Sequence, residues 1–284
     1  MLLAFALAQG PDVVHVGRVA AVFWPGHEVA ATSLAEFADA EATWPALSRP
    51  FDRPLRIILA PNQRVLDSLT EGRLPEWGRG VAFPGTNTII VVAGREARPT
   101  LRHELAHLAL RNAVPRPPRW LDEGYASWAA GEWGRLEALR VNWALARGEM
   151  PTLRQLSNDL RGTSGTRAEA AYALATTVLL HLARLGGERG LQPLLDALIA
   201  EGDIDRALRR TYQLTLGQFE ESWQRDLKKR YGVLLLLTSV SIFWSIVAGL
   251  VFAVWIRRRR RDRERRAALD VGWIVETGEP PPAS

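Results

Sequence analysis

Hydrophobic positions along this chain change rhythm several times, and each rhythm predicts an element. Short aliphatic and β-branched runs at Leu55 to Leu59 and over Thr88-Ile89-Ile90-Val91-Val92 predict strands, the second of them buried. Pro84-Gly85 is a turn signal just before the second run, so Gly80-Val81-Ala82-Phe83 reads as the other arm of a hairpin. The period then becomes helical. Leu101, Leu105, Leu108 and Ala109 form an apolar stripe, with Pro99 and Thr100 suited to a helix start and Thr100 or a neighbour as the cap. Pro115, Pro117 and Pro118 stop that helix. A second helix begins near Trp120 and runs through Ala126, Trp128 and Ala130. A third covers Arg167 to Leu185, closed by Gly186-Gly187.

A different pattern follows. Val233 to Ile256 contains no charged side chain, and a helix of that length exceeds the roughly 30 Å hydrocarbon core of a bilayer. Tyr231 and Trp255 stand where interfacial aromatic anchors belong. The order of elements predicts an α+β protein with a mixed sheet and helices over Asp12 to about Ala93. Two central helices and a helical lobe to Arg230 follow, then one transmembrane helix at 233–256.

The central pair of helices carries the chemistry. His103-Glu104-Leu105-Ala106-His107 is an HExxH array, and Glu123 lies sixteen residues beyond His107 within Trp120-Leu121-Asp122-Glu123-Gly124. Positions i and i+4 share a helix face, so both imidazoles reach one metal ion from the same side. Glu104 is one position round, placed to hold a metal-bound water while pointing away from the metal. A catalytic zinc takes three protein ligands and one open vertex. Asp122 and Glu123 are the candidates for the third ligand, and spacing leaves both open. An acid at Glu123 also suits the first turn of a helix for its own sake.

His-Glu-Leu-Ala-His followed by Trp-Leu-Asp-Glu-Gly-Tyr-Ala resembles the gluzincin metallopeptidases, in particular the bacterial peptidase MA-like group. The resemblance implies a zincin fold over residues 12–230, one Zn2+ ion held by His103, His107 and Glu123, and Glu104 as the general base. The chain departs from the thermolysin pattern at one place. An aspartate four residues after the ligand glutamate supports a ligand histidine there, and Ser127 stands at that position here. By the same likeness Gly80, Val81, Ala82 and Phe83 form the sheet edge that an extended peptide substrate would pair with. Tyr172 resembles the phenol that stabilises the tetrahedral oxyanion in related gluzincins. His181 is half a turn out of phase with Tyr172, and His15 and His27 have no partners in sequence.

Topology follows from charge. Eight arginines lie within 257–266, whereas Lys228, Lys229 and Arg230 on the other flank are diluted by Asp226. The positive-inside rule therefore puts the 257–284 tail in the cytoplasm, beside anionic lipid, and residues 12–230 outside it. Met1 to Ala8 is apolar and ends Ala6-Leu7-Ala8, so residues 1–9 look like a signal segment without its basic start. The tail accounts for three of the five net positive charges, which leaves the domain nearly neutral. Membrane proximity explains the arginine cluster, and no nucleic-acid partner is expected. The absence of cysteine removes disulfides and thiolate metal sites. Pro-rich residues 278–284 are expected to be disordered.

These features point to a membrane-anchored zinc metallopeptidase acting on peptides or proteins. The rival from another class is a catalytically silent relative that binds a peptide or partner. The Gly-x-Met-Glu-Asn pattern that anchors a substrate amine in one gluzincin branch is absent, which leans the reading towards an endopeptidase.

Overall fold

The computed structural model describes residues 10–72, 78–146, 150–161 and 165–270, with the side chains of 135–137, 143–144, 146, 165–167, 232–242, 264 and 267–270 left out. The signal-like segment 1–9 and the Pro-rich end 278–284 lie outside the described residues. By its contacts the chain forms two units, Met1–Gly232 and Val233–Ser284.

The first unit begins with a five-stranded mixed sheet. Strands β1 (Asp12–Val16), β2 (Val19–Phe23), β3 (Leu55–Ala60), β4 (Gly80–Phe83) and β5 (Thr88–Val92) stand in the order β1-β2-β3-β5-β4. β2, β3 and β5 are parallel, whereas β1 and β4 pair antiparallel at the two edges. β3 and β5 read as unbroken apolar runs because both of their faces are covered. Ile57, Leu59, Ile89 and Val91 face the main core under α1 (Glu28–Ala40) and α3 (Ala97–Ala113). Ala60, Ile90 and Val92 face the other way, onto Leu66 of α2 (Gln63–Leu69). Asn62 caps α2 by accepting from Val65 N at 3.2 Å.

α3 begins earlier than Pro99-Thr100 suggests. It starts at Ala97 after Glu96, which makes no side-chain cap, and the proline is absorbed in the first turn, where no intrahelical N–H is required. α4 (Arg119–Ala130) follows the proline break. The rest of the unit is chiefly helical: α5 (Arg135–Ala146), α6 (Leu153–Asp159), α7 (Gly165–Leu185), α8 (Gln192–Glu201), α9 (Ile204–Tyr212) and the first part of α10 (Leu216–Asp270). Phe219, Trp223 and Leu227 recur every four residues on α10 and are buried in the same core. Trp223 Nε1 donates to Thr177 Oγ1 at 3.0 Å, and the rings of Phe219 and Trp120 stack at 6.2 Å.

Two glycines permit the packing that matters. A Cβ on Gly124 would lie 2.6 Å from the Ala175 carbonyl oxygen, so α4 and α7 meet backbone to backbone. A Cβ on Gly80 would lie 2.5 Å from Thr100 Cγ2 and 3.2 Å from Glu104 Cγ, which seats the edge strand directly on α3.

The second unit is helical in its described part and exposes Phe243, Trp244, Ile246, Leu250, Val251, Phe252 and Trp255. Among the described residues no helix is long and apolar enough to cross a membrane. The first half of the expected span, 233–242, belongs to the residues whose side chains are left out.

Candidate metal centre

Helical spacing stacks His103 and His107 one turn apart on α3, and α4 crosses them so that Glu123 arrives from above. His107 Nε2 lies 3.2 Å from His103 Nε2, and Glu123 Oε2 lies 3.3 Å and 3.8 Å from the two nitrogens. Ligand atoms at about 2.0–2.1 Å from a tetrahedral zinc stand about 3.3–3.4 Å apart, so the three atoms already have the spacing of a coordination face. His107 and Glu123 are buried, and His103 is half-buried at the cleft wall. Two neutral nitrogens and a carboxylate suit a borderline divalent cation.

The far nitrogen of each ring is occupied. His107 Nδ1 donates to Asp122 Oδ1 at 2.9 Å, and His103 Nδ1 donates to Glu132 Oε1 at 2.9 Å. Such bonds fix the tautomer that leaves Nε2 with its lone pair for a metal. Asp122, open from spacing alone as a ligand, is thereby turned away from the metal position. It is gripped in turn by Arg111, whose Nε donates to Oδ2 at 2.9 Å. Arg119 Nη2 lies 3.1 Å from Glu123 Oε1, the oxygen on the side away from the histidines.

Glu132 escaped the sequence reasoning. Gly131 ends α4 in the left-handed conformation (φ 77°), and Glu132 N donates back to Ser127 O at 3.0 Å. That turn swings the Glu132 carboxylate onto His103, where the Ser127 side chain also hydrogen-bonds it. Ser127 does not replace the missing aspartate itself; it steadies an acid five residues later. A helix-ending glycine followed directly by an acid was the only signal in the sequence.

Burial and charge act in opposition here. Burial by itself lowers the His103 imidazole, but Glu123 and Glu132 raise it to about 9. His107 is likewise raised against its burial by Asp122 and Glu123. Glu123 and Asp122 are held below the ordinary carboxylate range despite burial, chiefly by the His107 charge. Glu104 differs: burial dominates and raises its carboxyl, although both imidazoles pull the other way. The carboxylates thus favour positive charge on this face, and a metal cation would supply it in place of the imidazole protons.

A cleft of about 830 Å3 opens over the site. Gly80, Val81 and Ala82 of β4 line it on one side and Tyr172 of α7 on the other, with His103, Glu104, His107 and Glu123 between. Phe83 does not line it; its side chain is exposed. Burial, then the Glu123 charge, raises the Tyr172 phenol well above its usual range, so it stays protonated. His181 is remote from the cleft, bonded to Ser222 Oγ at 2.9 Å and packed on Phe219. His15 is an exposed strand residue, and His27 precedes α1.

No curated protein matches the chain. The model of the Peptidase MA superfamily matches residues 47–229, which takes in β3 to β5, both metal-site helices and the helical lobe up to the start of α10. With the two imidazoles and the glutamate converging within that matched region, the chain belongs to the Peptidase MA superfamily and is a zinc metallopeptidase-like protein.

Proposed function

We propose that the protein is a membrane-anchored zinc metallopeptidase in which His103, His107 and Glu123 hold the metal and Glu104 is the general base. The observation that carries the reading is the 3.2–3.8 Å triangle of Nε2, Nε2 and Oε2 at the floor of a cleft that also contains the Glu104 carboxylate. When bound, zinc supplies Lewis acidity and a water acidified towards a pKa of about 7.

The chain's own groups supply the rest. Glu104, its carboxyl raised by burial, takes the proton of the attacking water and returns it to the leaving amine. Tyr172, protonated across the working pH range, donates a hydrogen bond to the oxygen that gains charge. Among the described residues β4 pairs on one side alone, with β5, which leaves its outer amides and carbonyls to an extended peptide. Two of the cleft acids are engaged within the chain, Glu132 with His103 and Glu169 with Arg140 at 3.4 Å, while Glu96 lines the cleft at the start of α3. The absence of a Gly-x-Met-Glu-Asn pattern to anchor a substrate amine favours internal cleavage over removal of amino-terminal residues.

The anchor is read from sequence and exposure together. Phe243, Trp244, Ile246, Leu250, Val251, Phe252, Val254 and Trp255 are exposed with no charged residue among them, and a helix apolar all round requires an apolar medium. The arginines after Ile256 orient residues 257–284 to the cytoplasm and the metal centre to the other side.

The test is hydrolysis of a peptide library by the zinc-loaded protein, with chelator and Glu104→Gln as controls. Chelation should abolish cleavage and added zinc restore it. Glu104→Gln should retain metal and lose turnover. Wild-type rates in Glu104→Gln would overturn the assignment of the base.

A further inference from the structure

A second recess, of about 360 Å3, opens beside the cleft and shares Arg111, Arg119 and Arg161 with it. It runs from Pro84, just after β4, to the proline-rich break between α3 and α4, where Arg116 adds a fourth guanidinium. Asp122 is the one carboxylate among its lining residues, so the recess carries an excess of three positive charges. The cleft itself is balanced, with five arginines and five glutamates lining it. The imbalance is therefore local.

These arginines differ in what they already hold. Arg111 is committed to Asp122, and Arg119 Nη2 to Glu123, but Arg119 Nε is covered and has no hydrogen-bond partner among the described residues. Arg116 and Arg161 are exposed, and among the described residues neither guanidinium meets a carboxylate. Arg116 and Arg161 add two like charges, without a matching acid among the described residues, beside the paired Arg111 and Arg119, which costs free energy unless an anion arrives to share them. Guanidinium forks match a carboxylate in two parallel hydrogen bonds.

We propose that this recess binds a carboxylate of the substrate and makes the protein selective for peptides with an acidic group on the Pro84 side of the metal. The proposal rests on the peptidase reading for the nature of the ligand. Side-chain carboxylates and a free carboxy terminus present the same chemistry, and the peptides below separate them.

The probe is a set of fluorescent peptides of one sequence, with glutamate or glutamine at each position in turn and the carboxy terminus free or amidated. Hydrolysis is followed with the full zinc-loaded chain. Binding is followed separately by anisotropy with the Glu104→Gln chain, which needs no turnover. The expected result is about a tenfold preference for an acid at one position, or for the free terminus, that weakens with added salt. In the double variant Arg116→Ser/Arg161→Ser the ratio of acidic to neutral peptide should fall to about one, whereas Arg161→Lys should keep part of it. Thermal melts confirm that the variants remain folded. Equal treatment of acidic and neutral peptides by the native chain, or a preference that survives in the double variant, overturns the recess. Cleavage without acid preference would refute this site and leave the peptidase standing. Arginine-dependent binding of acidic peptides without any cleavage would do the reverse.

Discussion

Each imidazole of the metal centre is oriented by a carboxylate that touches no metal position, one on α4 and one just past its end. Asp122 lies on the helix, locked by Arg111; Glu132 lies beyond its end, delivered by the Gly131 turn. Removing such a partner frees the ring to rotate and to choose the wrong tautomer. Glu132→Ala is therefore expected to weaken zinc binding roughly 10–100-fold, read by competition with a chromogenic chelator. Glu132→Gln, which keeps an acceptor oxygen, should lose less; unchanged affinity in the alanine variant would show that His103 is held some other way. Gly80 is a constraint of another kind. A methyl group there meets Thr100 and Glu104 rather than open space. Gly80→Ala should keep its zinc but lose about tenfold or more in kcat through displacement of Glu104, which a metal assay beside a rate measurement would separate.

At the scale of elements, the α4–α7 contact joins the ligand Glu123 to Tyr172. Gly124 lets the two backbones approach, and the Ala175 carbonyl that a Cβ would strike cannot rotate away as a side chain could. Gly124→Ala should cost roughly 1–3 kcal/mol of stability, visible as a lowered Tm. It should also separate Tyr172 from the site, so kcat falls together with Tm. The start of α10 acts as a strut behind the same pair through Trp223 and Phe219. Trp223→Phe keeps most of the apolar volume but leaves the Thr177 hydroxyl without its donor. A loss of about 1 kcal/mol is expected in denaturant unfolding, with metal affinity unaffected.

For the whole molecule, the division at Gly232 predicts that a fragment of residues 10–232 folds and binds zinc alone. The full chain should float with lipid vesicles in a density gradient while this fragment stays behind; a full chain that stays in the soluble fraction would sink the anchor. Much of this was legible from order and spacing. The HExxH helix, its proline stop, the β5 run and the α7 stripe each answer to a local rule, since period, caps and breakers act within a few residues. The chain itself determines that two imidazoles share a helix face, because 3.6 residues per turn allows nothing else. Start signals were weaker, as α3 shows by taking Pro99 inside its first turn. Whether Asp122 or Glu123 faces the metal, which acid orients His103 and where the arginines gather were decided only by the crossing of α4 over α3. Those relations join residues through space, where packing angles and a single left-handed glycine set distances that no periodicity encodes.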